Sequence, residues 1–224
     1  RRLILNPVPP FRLDHTVWAL RRRPDNIVDR WDGETYRRVL IDNAGTPFEI
    51  EVRMLGEVDT PQLHVSIHSH KASSEIERQV TTTVERVLGI NLRLDDFYRL
   101  ADQDDDLKPL VDRFRGFKPT RYPTYFETLV NAIACQQLTL TMGIRILNEM
   151  VKTYGVEFQN NDGTYHAFPR PQDLADADIE DLRRMKFSYQ KARYITGIAR
   201  SIVDGELDLE TIRLLDDRSA VERL

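Results

Sequence analysis

Apolar positions along this chain change their period near residue 90. Before that point they alternate. Leu63, Val65 and Ile67 are interleaved with polar neighbours, the spacing of a strand with one buried face. Similar strand-like runs occupy residues 35–41, 48–55 and 62–68, separated by the turn-forming stretches Asn43-Ala44-Gly45 and Thr60-Pro61. Ahead of them, Pro7-Val8-Pro9-Pro10 closes an extended lead-in, and Phe11-Arg12-Leu13 alternates like a short strand. Asp14 is placed to cap a short helix through Val17, Trp18 and Leu20, which Pro24 stops. Ser74 and Glu77 have capping-box spacing, and Ile76, Val80, Val84, Val87 and Leu88 form a helical stripe that closes at Gly89. The predicted element set for residues 1–92 is an α+β domain, an antiparallel sheet backed by helices.

From residue 93 the strand signals stop and the period becomes helical. Asp95-Asp96-Phe97-Tyr98 opens a short helix, and residues 102–106 are an acidic run suited to a helix start. Thr124 precedes Glu127 by three residues, and Phe126, Leu129, Val130 and Ile133 fall at i, i+3, i+4 and i+7. Gln136-Gln137 then interrupts the apolar face, and Thr139 is placed to cap a second helix carrying Leu140, Ile144, Leu147, Val151 and Tyr154 up to Gly155. Residues 156–167, with Asn160-Asn161-Asp162-Gly163, read as a polar surface loop. Short capped helices follow: one near Leu174, one capped by Asp178, one capped by Ser188, and two pieces split near Asp216-Asp217. Residues 93–224 therefore predict an all-α domain. At 224 residues the chain is long enough for either one large domain or two modest ones.

A formal net charge of −4 does not advertise a nucleic-acid partner, although a basic face can sit on an acidic protein. The segment Arg113-Phe114-Arg115-Gly116-Phe117-Lys118-Pro119-Thr120-Arg121-Tyr122 interleaves cations with aromatics, which suits either phosphate contact or packing. A single cysteine, Cys135, excludes an internal disulfide framework and a four-cysteine zinc or iron–sulfur site within this chain. His64, His68 and His70 share one face of a strand, without a cysteine or a convergent carboxylate pair, and read as a solvated face. No apolar run approaches the ~18 residues of a membrane span, so no membrane partner is expected. The chain begins without a methionine, so an N-terminus either trimmed or left unseen is expected.

Adjacent glutamines at a helix–helix junction can simply satisfy exposed backbone groups. A second reading comes from resemblance. Phe126-Glu127 through Gln136-Gln137-Leu138-Thr139, followed by a second helix, resembles the core helical pair of the alkylpurine DNA glycosylases. These are the 3-methyladenine DNA glycosylase II type of the helix-hairpin-helix glycosylase superfamily. Phe168-Pro169-Arg170-Pro171, continuing through Leu174-Ala175 to Ala177-Asp178, is similar to another segment of that family. So are Lys191-Ala192 with Ile195, and Gly205-Glu206-Leu207-Asp208-Leu209. Phe11, Asp14, Trp18-Ala19-Leu20, Arg30-Trp31-Asp32-Gly33 and Tyr36-Arg37-Arg38 follow the order of its sheet domain, so the resemblance spans nearly the whole chain.

The resemblance implies a DNA N-glycosylase that flips and excises alkylated purines in base excision repair. Gln137 would fill the hole left by the flipped base, flanked by Gln136 and Leu138. Thr139 would present the next helix toward phosphate, and Phe11 or Trp18 would line the base pocket, the alternative for each being a place in the core. Lys186 and Lys191 are further phosphate candidates, the alternative for both being a solvated helix end. The family's hairpin, which grips a phosphate and can hold a monovalent cation, would lie beyond Leu224 together with its catalytic aspartate. The helical domain is thus expected to be incomplete, and the 224-residue chain inactive alone. No catalytic residue, resident metal or iron–sulfur cluster is expected within it. The implied partner is damaged double-stranded DNA, met in the cytoplasm by a bacterial or archaeal protein or in the nucleus by a eukaryotic one. A monomer is expected when intact, with self-association of the shortened chain through exposed apolar surface. The rival readings are a shortened, non-catalytic DNA-binding homologue and a relative of the 8-oxoguanine glycosylases.

Overall fold

A computed structural model describes residues 1–69 and 73–223. They form two compact units, one of residues 1–123 and 158–165, the other of residues 124–157 together with those from 166 onward. The expected fold class holds, with a sheet-and-helix part followed by a helical part.

In the first unit the described residues form a five-stranded antiparallel sheet in the order β1-β5-β4-β3-β2. Its strands are β1 (Arg2–Leu5), β2 (Arg30–Trp31), β3 (Thr35–Ile41), β4 (Pro47–Leu55) and β5 (Gln62–His68). Register decides which side chains enter the core. Val52 pairs with both Tyr36 and Val65, and Ile50 pairs with both Arg38 and Ile67. One face therefore carries Tyr36, Leu40, Phe48, Ile50, Val52, Leu63, Val65 and Ile67. Helices α1 (Leu13–Arg21) and α2 (Ser74–Leu88) cover it with Val17, Leu20, Ile76, Val80 and Val84.

Arg38 is a charge at an inward position, so it needs a buried partner. Asp29 supplies one. Its carboxylate accepts from Arg38 Nη1 at 2.7 Å and from Tyr36 Oη at 2.8 Å, both ionic side chains being 2% exposed. Burial beside Asp29 drives the Tyr36 phenol well above its ordinary pKa.

Several local expectations shift. The helix α1 is capped from Arg12, whose backbone is extended, and Asp14 lies in its first turn bound to the Arg12 guanidinium. Leu13 is helical, so Phe11-Arg12-Leu13 is no strand. The lead-in contains β1, because pairing with β5 satisfies its backbone. The cap of α2 is Ser73, not Ser74: Ser73 is the residue with extended backbone, and its hydroxyl accepts from the Ile76 amide at 3.1 Å. His64 contacts Gln62 and His68 contacts Glu51, while His70 lies outside the described residues.

Residues 93–123, read from sequence with the helical half, stay with the sheet. They include α3 (Asp95–Ala101) and α4 (Lys108–Arg113). Arg12 N–H donates to Gly116 O, Arg115 grips Asp59 through two hydrogen bonds, and buried Lys118 donates from Nζ to Leu92 O at 2.6 Å. Burial lowers the Lys118 pKa. The expected loop at 156–167 is a hairpin of β6 (Glu157–Asn160) and β7 (Gly163–His166). Phe158 is buried, and the Asn160 side chain accepts from the Asp162 amide to close the turn. Residues 158–165 belong to the first unit because Glu49 accepts from both Arg30 and Asn160, and the Arg30 guanidinium lies 3.7 Å from the Tyr165 ring centre.

The second unit is built from α5 (Tyr125–Cys135), α6 (Leu140–Tyr154), α7 (Pro171–Leu174), α8 (Ile179–Arg184), α9 (Tyr189–Val203), α10 (Leu209–Ile212) and α11 (Asp217–Arg223). The predicted caps Thr124, Thr139, Asp178 and Ser188 each accept from an amide of the first turn. Phe126, Val130, Ala134, Ile144, Leu147, Ala192, Ile195 and Ala199 make up much of the interior. Helices α5 and α6 approach so closely that a Cβ at Gly143 would lie 2.6 Å from Cys135 Sγ and 3.3 Å from its Cα.

Two substitutions test this packing by urea or thermal denaturation. Asp29→Ala leaves Arg38 buried without its carboxylate and should cost about 3–5 kcal/mol, against about 1 kcal/mol for Tyr36→Phe. Equal losses would show that the ion pair carries no special weight. Gly143→Ala should destabilise by about 1–3 kcal/mol despite its better helix propensity, and Cys135→Ala in the same chain should recover much of that loss. Simple additivity of the two changes would rule out the close contact.

Candidate nucleic-acid interface

The capped α5 should run on where its apolar stripe does, but it stops at Cys135. Gln136 leaves the helix with φ −56° and ψ 134°, and Gln137 follows at φ +56°. A side chain with a Cβ in the left-handed region costs about 1 kcal/mol, and glycine is the usual occupant of such a place. Retention of a glutamine there is a local conflict between backbone and residue type, the kind that collects at working sites. Residues 136–139 then lead into α6, whose N-cap Thr139 accepts from the Met142 amide at 3.3 Å.

Every residue of this connection is exposed. Leu138, Leu140 and Met142 add apolar surface at 39, 45 and 37% exposure. Beneath them Ala134, Gly143 and Ile144 are buried, so the tip stands on a closely packed base.

The end of α5 also leaves carbonyls that its own amides cannot reach. Lys191 of α9 takes two of them. Its Nζ donates to Ala134 O at 3.0 Å and to Gln136 O at 2.6 Å. Burial lowers the Lys191 pKa, with nearby Cys135 opposing the shift. Lys191 is thus a support for the tip, and that job occupies the donor considered for phosphate. Nothing in the local sequence signals it, since its acceptors lie 57 and 55 residues away.

A groove of about 790 Å³ starts at Leu138 and runs between α6 and the end of α8. Met142, Ile146 and Met185 line it with apolar groups, Arg145, Arg184 and Lys186 with cations, and Glu149 and Asp181 with carboxylates, Asp181 being paired with Arg184. Lys186, itself at φ +77°, lies on this groove, so it and Leu138 line one surface.

The two pocket candidates lie in the other unit and differ sharply from each other. Phe11 is fully buried in the sheet core, where its ring has no open face for a base. Trp18, one helical turn past Asp14, is 69% exposed on α1 and followed by Arg21, Arg22 and Arg23. The cation-rich run after residue 112 is largely engaged within its own unit: Arg113 lies over Phe114, Arg115 holds Asp59 and Lys118 is buried. Among the described residues no cluster of histidine, cysteine and carboxylate side chains is placed to hold a metal ion.

Comparison with known proteins bears on what this surface serves. Residues 130–222, which span α6 and the tip, match the HhH-GPD superfamily base excision DNA repair protein family. YfjP of Bacillus subtilis, whose name carries a provisional DNA-3-methyladenine glycosylase assignment, is 24% identical over 216 residues, covering 96% of this chain and 71% of its own. A DNA-3-methyladenine glycosylase of the same organism is 30% identical over 128 residues, covering 57% of this chain and 42% of its own. Among solved structures, a 3-methyladenine DNA glycosylase from Archaeoglobus fulgidus superposes with a TM-score of 0.83 at 21% identity, covering 99% of this chain and 73% of that one. An 8-oxoguanine glycosylase/lyase from Clostridium acetobutylicum gives 0.71 at 21% identity, covering 99% and 70%. These structural likenesses establish the shared fold. Over residues 130–222 the chain is thus similar to the HhH-GPD superfamily base excision DNA repair proteins, and over longer spans to proteins named as 3-methyladenine DNA glycosylases.

Proposed function

We propose that this chain serves a DNA glycosylase for alkylated purines and that residues 136–139 are its duplex probe. The observation that carries the reading is the tip itself: an exposed, uncharged glutamine held in a left-handed backbone conformation at the junction of two helices. A base stacked in duplex DNA cannot be reached by an enzyme, so the nucleotide must be extruded at a cost of a few kcal/mol. Something must then occupy the gap. Gln137 suits that task, because its amide can replace hydrogen bonds of the lost base and carries no charge into the stack. Leu138 adds apolar contact beside it.

Alkylated purines carry positive charge, and an electron-rich ring attracts them by about 0.5–2 kcal/mol. Exposed Trp18 is the proposed stacking surface on the first unit, and Phe11 is left to the core. Lys186 and Arg145, on the groove that begins at Leu138, are the proposed contacts to backbone phosphate. None of the described residues is assigned to bond cleavage.

The product of the whole reading frame should release 3-methyladenine or 7-methylguanine from duplex DNA carrying those bases. Release of 8-oxoguanine instead would overturn the substrate class. Gln137→Ala should slow excision from duplex DNA about tenfold or more while leaving single-stranded substrate little affected, since only the duplex has a stack to refill. Equal loss on both substrates would remove the probe assignment. Trp18→Ala should weaken binding to an alkylated site roughly 2- to 30-fold and leave binding to undamaged duplex unchanged. A uniform loss across both DNAs would mean that Trp18 does not read the base.

A further inference from the structure

The peptide plane joining Gln136 to Gln137 can turn only through ψ of Gln136 and φ of Gln137. Its carbonyl oxygen is the Gln136 O that Lys191 holds at 2.6 Å. Fixing that oxygen fixes the plane, and with it the left-handed φ of +56° at Gln137. The same Nζ reaches Ala134 O, so one ammonium ties the tip to the last turn of the helix below it. Lys191 is itself well seated. It begins the buried stripe of α9, being followed by Ala192 and Ile195 in the interior, and Ser188 caps its helix through the Lys191 amide. The remaining backbone hold on the tip is local: Gln136 N–H donates to Ala132 O at 3.1 Å and to Ile133 O at 3.4 Å, Leu138 N–H to Cys135 O at 3.4 Å, and Thr139 O accepts from the Gly143 amide at 2.9 Å.

We infer that Lys191 is a positioning residue for DNA probing, a cation whose two hydrogen bonds hold Gln137 in the strained conformation that aims it outward. The inference rests on the probe reading of Gln137, and it assigns Lys191 no contact with DNA. Charge-assisted hydrogen bonds to backbone carbonyls are strong enough to outweigh one left-handed residue. Without them the connection is free to relax to conformations in which Gln137 points elsewhere.

Two measurements on the folded protein test it. The first is hydrogen exchange at the Gln136 and Leu138 amides without DNA, comparing wild type, Lys191→Met and Lys191→Arg at matched thermal stability. Lys191→Met should raise exchange there by about tenfold, and Lys191→Arg should restore much of the protection. Unchanged exchange in Lys191→Met would overturn the inference whatever the DNA results. The second is the binding preference, by fluorescence anisotropy, for a duplex containing an abasic gap over the same duplex intact. Lys191→Met should reduce that preference, and it should add no further loss in a Gln137→Ala background. Persistence of the effect in that background, with a salt dependence lowered by about one counterion, would show instead that Lys191 touches phosphate. Failure of the probe reading looks different: Gln137→Ala alone would leave the gap preference unchanged.

Discussion

An α-helix that stops in the open leaves its last carbonyls without partners, and how they are satisfied decides where the chain goes next. In α5 the common solution of a left-handed glycine is absent. Gln137 takes the left-handed position with a full side chain, and an ammonium from α9 takes the carbonyls of Ala134 and Gln136. The consequence is structural before it is functional. The tip is exposed along its whole length, so burial cannot hold it, and its order depends on a polar anchor from beneath. That anchor in turn depends on α9 being seated through Ala192, Ile195 and Ala199. The close approach of α6 at Gly143 sets the other side of the same base.

What could be read from the chain alone follows the range over which each feature is determined. Caps are local, and Thr124, Thr139, Asp178 and Ser188 were visible because a hydroxyl or carboxylate needs only an amide two or three residues on. The error at Ser74 has the same origin: two serines stand side by side, and only the backbone turn distinguishes Ser73 as the cap. Strand β5 carries its own alternation. Strand β1 does not, and it exists because β5, far along the chain, offers Ser66 and His64 on its edge to Arg2 and Ile4. The hairpin after α6 looked like a loop since its polar residues outnumber Phe158, the side chain that buries it. At the candidate site the glutamine pair was legible as a break in an apolar stripe. The part played by Lys191 was not, because an amphipathic helix places a lysine at its start for many reasons and the partners of its Nζ are set by tertiary packing.

Charge was the least informative reading, and the structure shows why. A guanidinium already clasped by a carboxylate has little net attraction left for a distant anion, especially in salt. That is the condition of Arg115 against Asp59 in the segment that looked most basic, and Lys118 beside it is buried on the Leu92 carbonyl. Counting cations along the sequence therefore points to a stretch that is internal to the sheet unit. Cations that line an open surface lie elsewhere, at Arg145 of α6 and at Lys186 just past α8, whereas Arg184 between them is itself paired with Asp181.

The separation of charge from the tip also has a physical basis. A charged side chain driven into a base stack would lose its hydration, and a desolvated charge without a partner costs far more than a neutral amide does. A probe is better made of uncharged groups, with the cations that attract phosphate set to one side. Here Gln136, Gln137 and Leu138 form the projecting edge, while the groove cations stand beside Leu138 and Lys191 sits below with its ammonium turned onto backbone carbonyls. Lys191 thereby adds positive potential near the tip without exposing a charge on it. An apolar residue of similar length, such as methionine, could fill the same space but has no donor for the Gln136 carbonyl. The position therefore constrains chemistry more tightly than volume.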